Sequence, residues 1–452
     1  MNANLSYMLS RVSSVGVQTF KLDPQNSTSC SASGQIRVNL PSNTLLNLKS
    51  IKMVANVTTG GSGARLPAKI NSLIDRVSLE AGGVTIDGAS MQQYGLLCHA
   101  KSVHEGAKDG PLSHPQMVRE RSYHNGGAAL AGTANETYAS ANDPFCFTFD
   151  HTFLGTCSPS VLDQSLLPDG VLCISLHGNE VLSSVGGPAL TSFVTDGTQE
   201  PTFALSNIRF VCEALALGSG VYDQLVQRKL ADTGVLELPF KQYSTVQDTH
   251  NGSTRFHISC QSLDRIWAVF RPSDYADKGA PEPVQGHVLA GGFVCSTSNF
   301  STGAAVEVGL PEYDRGGVPG ISDEKYVSKY HDCSIESDAT IQFQLNGSLT
   351  PGFPATVPEW LEISRNAVEP IPGGEIPVRS LDQYRSNFAV VCHRLTLPGA
   401  SVREIAGVDS RSINLIGSMN TTNVGENKNV VMWLEHTSIL QIGQNKSFAI
   451  IN

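Results

Sequence analysis

The most metal-like cluster in this chain of 452 residues is Cys98-His99 together with His104-Glu105. Cysteine, histidine and carboxylate side chains are the usual ligands of zinc and the groups that move protons in catalysis. Structural zinc sites take their ligands at short regular spacings, as in Cys-x-x-Cys, and this cluster has no such spacing. It lies on a segment with a helical pattern that follows a hairpin. We therefore predict a structural role for it.

Two further segments carry reactive residue types without the partners that their chemistry needs. His331-Asp332-Cys333 places a thiol near an imidazole, but nucleophilic catalysis also needs a third group that orients the base. A loop before a strand is the better interpretation. The segment from Gly60 to Arg65 is rich in glycine, yet it lacks the Gly-Lys-Ser/Thr of a phosphate-binding loop. We interpret it as a connection between strands.

Paired carboxylates could indicate glycoside hydrolysis. Glu359 and Glu362 share a helical segment and are interpreted as a solvated helix face, whereas Glu213 and Glu435 occupy equivalent places in two similar strands. A metal-binding jelly-roll enzyme would carry His-x-His, because side chains two apart on a strand point to one face, and the sequence contains no His-x-His. We predict no catalytic residue, no cofactor-binding residue and no metal ligand, and hence a protein that is not an enzyme.

Composition favours strands separated by turns. Glycine (42 residues) and proline (23 residues) are frequent, while charged residues make up only 16% of the chain. The formal net charge is -10 and no run of lysine and arginine occurs, so direct sequence-specific binding of nucleic acid is not expected. The ten cysteines stand singly, mostly in apolar stretches, and are predicted to be free buried thiols. No apolar run is long enough to span a membrane, and the first residues do not form a secretory signal.

The pattern at the midpoint of the chain returns at its end. Asn207 to Phe240 predicts a strand over Ile208–Leu215, an amphipathic helix closed by Gly234, and a second strand. Aligning Asn207 with Asn429 places Glu213 on Glu435 without a gap. The chain therefore looks duplicated.

The order of elements supports this duplication. The first half predicts strands at Ile36–Leu40, Ser50–Val57, Ile74–Ala81 and Val84–Ile86, with a turn at Gly82-Gly83 between the last two. A helix is predicted at Met91–Val103. The second half repeats this order, with strands at Thr254–Cys260, Leu263–Phe270 and Thr340–Leu345, a turn at Asn346-Gly347 and a helix at Pro358–Val368. Two later strands also correspond, with Phe145–Phe149 matching Phe388–Cys392 and Val171–Leu176 matching Ser412–Ile416.

About eight short strands in each half indicate an all-β protein of two tandem eight-stranded jelly rolls, with short helices and long loops between strands. We predict an N-terminal arm (1–18), a first roll (19–218), a linker helix (219–234) and a second roll (235–452) with an insertion at 271–330. A further long loop is expected from Gly106 to Pro144. Long loops on a β scaffold commonly carry function.

Several motifs in this order resemble a known family. They are RVSLEAGGVTIDG (Arg76–Gly88), NIRFVCEALAL followed by VYDQLVQRKL at the seam, and FQLNGSLTPGFP (Phe343–Pro354) before Trp360. The chain resembles the double jelly-roll major capsid proteins of the adenovirus and tailless-phage lineage, and most closely those of polinton-like viruses and virophages. The resemblance covers nearly the whole chain, which is shorter than many relatives.

The resemblance implies a structural protein that self-assembles as homotrimeric, pseudo-hexagonal capsomers of an icosahedral capsid. It implies no catalytic residue and no cofactor. The expected partners are further copies of the chain, penton proteins and minor capsid proteins, and the expected location is the virion shell after synthesis in the host cytoplasm. Two other interpretations remain open, namely a two-roll hydrolase of glycans or glycoproteins, and a viral spike or receptor-binding jelly-roll module.

Overall fold

The structure is a computed structural model. It describes residues 15–60, 64–65, 70–106, 144–184, 202–217, 221–273, 333–371, 378, 381, 384–385, 388–399, 402–403, 405–411, 415–425 and 428–452. The loop 107–143, most of the insertion 271–330, and His331 and Asp332 lie outside the described residues. Within the described part of the chain, no helix is long and apolar enough to cross a membrane.

Strands dominate both halves of the chain. The first half contains β1 (Val15–Leu22), β2 (Cys30–Ser31), β3 (Gln35–Asn39), β4 (Leu45–Gly60), β5 (Ala64–Arg65), β6 (Ile74–Ala81), β7 (Val84–Asp87), α1 (Tyr94–Glu105), β8 (Phe145–Phe147), α2 (Phe153–Thr156), β9 (Val161–Asp163), β10 (Gly170–Leu176), β11 (Ser183–Ser184) and β12 (Thr202–Leu217). The linker helix α3 (Val221–Thr233) follows. The second half contains β13 (Leu236–Thr249), β14 (Ser253–Ile258), β15 (Leu263–Pro272), β16 (Thr340–Leu345), β17 (Ser348–Thr356), α4 (Val357–Ala367), β18 (Val390–Arg394), β19 (Leu415–Thr422), β20 (Lys428–Ile442) and β21 (Phe448–Ile451).

Two four-stranded paths, one in each of two sheets, run in the same order in both halves, and β5 pairs with β11 in a separate two-stranded sheet of the first half. In the first half one sheet has the order β1-β12-β4-β8 and the other β3-β10-β6-β7. In the second half the orders are β13-β20-β15-β18 and β14-β19-β16-β17. We call the sheet with the first and last long strands the closing sheet and the other the companion sheet. This interleaved antiparallel order is that of a jelly roll, so the prediction of two tandem jelly rolls is confirmed.

Alternate side chains fill the space between the two sheets of each roll. Ile36 and Val38 in β3 are each 1% exposed, while the residues beside them in the strand are not buried. Phe210 and Cys212 in β12 are fully buried in the same way. Each large apolar side chain removed from water contributes about 1.5–3 kcal/mol. The buried apolar residues of both rolls form one continuous cluster, so the core does not stop at the boundary between the rolls.

The two predicted hairpin turns are present. Asn346 (φ 47°) and Gly347 (φ 84°) join β16 to β17, and Gly82 (φ 54°) and Gly83 (φ 83°) join β6 to β7. Positive φ at both central residues is the geometry of the tight hairpin turn that asparagine and glycine favour. The helix after each hairpin is also present, as α1 and α4.

Helix ends follow local chemistry. Thr356 and Glu359 form a reciprocal capping box at the start of α4, where the Thr356 backbone N–H donates to Glu359 Oε2 at 2.7 Å. At the end of α3, Gly234 has φ 75° and its N–H donates to the Leu230 carbonyl at 2.9 Å. The predicted helix stop at Gly234 is confirmed.

Some boundaries differ from the sequence prediction. Strand β19 runs over Leu415–Thr422 rather than ending at Ile416, because its inward residues Gly417, Met419 and Thr421 alternate with polar outward ones. Strand β1 begins at Val15 and pairs with β12, within the segment expected to be an arm. The division of the chain into arm, rolls and linker remains a proposal.

The prediction of free thiols holds for the described cysteines. Nine cysteines are free, and six of them are buried. Burial in apolar surroundings raises the pKa of the Cys157 thiol to about 12, which keeps it unreactive.

Candidate functional site: the junction between the two rolls

Helix α1 of the first roll lies on the outer face of the second roll's closing sheet. Nine of its twelve residues are buried. The strand beneath it, β20, has nine consecutive buried residues from 430 to 438. A strand that is buried at every position has both of its faces covered. One face of β20 contacts the core of its own roll, and the other contacts the first roll.

A carboxylate from the second roll and a cation from the first roll meet in this junction. Lys101 Nζ on α1 lies 3.4 Å from Glu435 Oε2 on β20, and their side chains are 6% and 1% exposed. The same Nζ lies 3.1 Å from Glu105 Oε1 and donates to the Tyr243 hydroxyl at 3.0 Å. Lys101 also lies over the Trp267 ring at 5.2 Å. One buried ammonium thus joins α1 to three strands of the second roll.

Glu435 receives two more donors from its own sheet. Arg265 Nη1 lies 2.8 Å from Glu435 Oε1, and Trp267 Nε1 donates to Oε2 at 2.8 Å. Burial alone would raise the pKa of the Glu435 carboxyl, but the cations of Lys101 and Arg265 hold it well below its usual range. Glu435 therefore carries its charge at all ordinary pH values.

The Lys101 ammonium is held in the charged state by the same arrangement. Burial alone would lower its pKa, but Glu105 and Glu435 hold the pKa well above its ordinary value. Removing Glu435 or Lys101 would take one charged partner from each of its neighbours in a dry environment, which is strongly destabilising. The network therefore specifies one way of seating the first roll on the second.

A second buried carboxylate lies close by in the second roll. Asp264 is 1% exposed, and Lys241 Nζ and Thr437 Oγ1 each lie 2.5 Å from its Oδ2. Ser262 Oγ donates to its Oδ1 at 2.7 Å. The backbone N–H of Lys241 donates in turn to Thr156 Oγ1 of the first roll at 3.1 Å. This cluster also contributes to the junction.

Hydrogen bonds to the backbone extend the junction along its length. The N–H groups of Thr245 and Ser158 donate to the carbonyls of Ser90 and Pro239, each at 3.0 Å. Ile371 N–H donates to the Glu105 carbonyl at 2.7 Å. Trp433 Nε1 donates to the Gln92 carbonyl at 3.1 Å. Bonds of this kind leave little freedom for one roll to slide over the other.

An aromatic pair adds apolar contact at one side of the junction. The rings of Phe153, on α2, and Phe240, on β13, lie 4.9 Å apart at 72°, the edge-to-face geometry that aromatic pairs prefer. Both side chains are fully buried. The two rolls therefore form one block.

The metal-like cluster of α1 proves to be part of this junction. His104 Nε2 donates to the Val390 carbonyl of the second roll at 2.7 Å, and burial lowers the His104 pKa to about 4. The His99 ring packs 5.7 Å from that of Phe388. Among the described residues no group of three or more His, Cys, Asp or Glu side chains is placed to hold a metal ion.

The remaining candidate residues are dispersed. Glu359 caps α4, and Glu362 pairs with Arg365 at 3.2 Å on the exposed face of that helix. Cys333 is buried, while its sequence neighbours His331 and Asp332 lie outside the described residues. The glycine-rich segment connects strands, since Gly60 ends β4 and Ala64-Arg65 forms β5.

Sequence reasoning missed the junction itself. It aligned Glu213 with Glu435, and both lie on the central strand of a closing sheet, but it did not identify Lys101 or Arg265 as partners. One signal was available, because Glu435 directly follows the apolar run from Val430 to Leu434 within a predicted strand. A charged residue in a strand that is buried on both faces needs a buried partner.

Comparisons with known proteins identify the fold. No protein-family model matches the chain, and no curated protein resembles it in sequence. Its structure is similar to PBCV-1 VP54 as fitted into a cryo-EM reconstruction of the virophage Sputnik, with a TM-score of 0.58 and 12% identity over 98% of each chain. It is also similar to a chain of the PBCV-1 virus capsid, with a TM-score of 0.56 and 10% identity over 98% of each chain. The chain therefore has the double jelly-roll fold of these viral capsid proteins.

Proposed function

We propose that the chain is a major capsid protein that assembles as trimeric, pseudo-hexagonal capsomers in the shell of an icosahedral virus. The observation that carries this proposal is the junction, which joins two rolls of identical strand order into one rigid block through buried charges and a continuous core. The similarity of fold to the PBCV-1 capsid chain, over 98% of both chains, supports it.

A rigid block of two rolls is better suited to a repeated structural subunit than to a protein whose domains move. Rigid subunits repeat the same contacts at every position of a shell, and closed symmetric rings are the usual way for such subunits to associate. Three copies of a two-roll block place six rolls around an axis. An obligate interface of this kind commonly buries more than about 2,000 Å².

The partners follow from this role. Further copies of the chain form the capsomer and its neighbours, and penton and minor capsid proteins complete the shell. The protein belongs in the virion after synthesis in the host cytoplasm. Chemistry is not part of the proposal, because the buried carboxylates of the junction are enclosed by their cations and are not open to a substrate.

Light scattering on the purified protein tests the proposal, together with negative-stain electron microscopy of the same fractions. A mass of three chains and particles with a pseudo-hexagonal outline are expected. A stable monomer or dimer at micromolar concentration and physiological salt would contradict it.

A further inference from the structure

The two helices that follow the hairpins are buried to different extents. Nine of the twelve residues of α1 are buried, against five of the eleven of α4. Helix α1 contacts its own roll on one side and the second roll on the other. In α4 the buried residues form the face toward its own roll, and the helix also contacts α1, while Glu359, Glu362 and Asn366 are exposed. The face of α4 that is turned away from its own roll is therefore exposed, whereas the corresponding face of α1 is covered by the second roll.

The outer faces of the two closing sheets also differ in how far they are buried. From 430 to 438 on β20, the outward residues are as buried as the inward ones. On β12 inward residues are buried, but the outward Arg209, Val211, Glu213 and Leu215 are only partly buried. Within the described residues, the outer face of the first roll's closing sheet is therefore less covered than the face of the second roll on which α1 lies.

We infer that α4 of one copy packs on the outer face of the first roll's closing sheet in the next copy, as α1 packs on the second roll within the chain. The inference rests on the proposed function and names the surfaces that join subunits in the capsomer. Because the two rolls are structural repeats, one packing arrangement then serves both inside the chain and between chains. A head-to-tail contact of this kind closes into a ring when the rotation permits.

The charges on the two faces are complementary. Lys52 on β4 and Lys21 on β1 pair with the same residue of β12, Val211, and so lie in one row across the sheet. Glu213 lies two residues further along β12 on the same face. On α4, Glu362 and Arg365 lie one turn apart, with side chains 65% and 38% exposed. The helix thus carries a negative and a positive group that can pair with a positive and a negative group on the sheet.

The position of Glu213 adds to this argument. It aligns with Glu435, whose carboxylate is paired with Lys101 from the preceding roll. The Glu213 carboxylate accepts a hydrogen bond from Asn47 Nδ2 at 3.3 Å, and no ion pair of Glu213 occurs within the described part of the chain. Arg365 lies in the C-terminal half of α4, as Lys101 lies in the C-terminal half of α1. Arg365 of the neighbouring copy is the cation that fits Glu213, and Glu362 then meets Lys52.

Charge inversion on each face tests the pairing. The helix variant Glu362→Lys with Arg365→Glu keeps the pair within α4 and only reverses its direction, so the subunit should still fold. The sheet variant is Lys52→Glu with Glu213→Lys. Each variant alone should weaken association by about tenfold or more, because like charges then meet across the interface. The four substitutions together should restore most of the assembly.

The control is Arg255→Glu, on the outer face of the second roll's companion sheet, which should assemble like the unmodified protein. Association is measured by light scattering over a dilution series, and folding by circular dichroism. If the unmodified protein does not assemble, the proposed function fails together with this inference. If both double variants assemble normally, or if the fourfold variant is not restored although each double variant is impaired, the pairing of α4 with the first closing sheet is wrong while the proposed function stands.

Discussion

Glu435 shows how one residue can determine how two domains fit together. Its carboxylate is 1% exposed and is satisfied by Lys101, Arg265 and Trp267, which come from two different rolls. Such a buried network adds little net stability compared with apolar residues of the same shape, but it strongly penalises any arrangement in which one member loses its partners. Glu435 therefore contributes mainly by specifying how the first roll packs on the second.

Replacing Glu435 with glutamine should destabilise the protein by about 3–5 kcal/mol, because Lys101 and Arg265 stay charged while each loses a buried carboxylate partner. The matched control is Glu237→Gln on β13, where the side chain is exposed and accepts a hydrogen bond from Gln441 at 3.0 Å, and the loss should stay below about 1 kcal/mol. Urea unfolding of both variants measures the difference. Equal losses would show that the junction network does not stabilise the fold.

The junction should also weaken in acid through His104. Burial lowers the His104 pKa from its ordinary value of 6.5 to about 4. The folded state therefore disfavours protonation, and stability is complete above the unfolded pKa and is lost as pH falls from 6.5 toward 4. The loss from this residue amounts to about 2–3 kcal/mol at most.

Asp87 acts in the opposite direction. Burial raises its carboxyl pKa from 3.8 to about 7, so its contribution is present at low pH and is lost as pH rises from about 4 through 7. To isolate the histidine, stability is measured from pH 7 to 4 for the unmodified protein and for His104→Gln, whose amide can still donate to Val390. The variant should show the smaller loss on acidification. Parallel pH profiles would exclude His104 as the source.

At the scale of elements, the hairpin followed by a helix could be predicted from the sequence. Turn residues such as Asn346-Gly347 require a specific backbone geometry whatever surrounds them, and alternation of apolar residues identifies a strand with one wet face. The part of β19 beyond Ile416 was not predicted, because its inward residues Gly417 and Thr421 are not apolar. The seating of α1 could not be predicted, because Lys101 looks like any solvated helix residue until the partner strand is known.

Gly347 gives a direct test of the turn geometry. Substitution by alanine should destabilise the protein by about 1 kcal/mol, because φ is 84° there and a side chain at positive φ is strained even where space is open. Gly352, on the adjoining strand, has no positive φ and also has nothing within 4 Å of an added methyl group. Gly352→Ala should therefore change the free energy of unfolding by less than about 0.5 kcal/mol. A similar loss in both variants would contradict the turn assignment.

At the scale of the whole molecule, the continuous core means that the rolls depend on each other. Trp267 and Trp433 are fully buried, and Trp433 donates to the Gln92 carbonyl of the first roll. Without the first roll, Val431 and Trp433 on the outer face of β20 would be exposed, and exposed apolar surface promotes aggregation.

A protein of residues 235–452 alone is therefore expected to aggregate or to lack a cooperative unfolding transition, and coexpression with residues 1–234 should restore solubility. Tryptophan fluorescence and calorimetry provide the measurement, since Trp433 would lose its covered environment. A soluble second half that unfolds cooperatively, with fluorescence like that of the intact chain, would show that the junction is dispensable for folding.

The long separation between the partners of the junction sets an order of events in time. Lys101 and Glu435 are 334 residues apart in sequence, and the strand that carries Glu435 is the central strand of its sheet. During synthesis, the surface of α1 has no partner until the ribosome has made almost the entire chain, and closing so long a loop is slow. The contact that forms last is therefore also the one that completes the block of two rolls, so a partly synthesised chain cannot present the surface of the finished block.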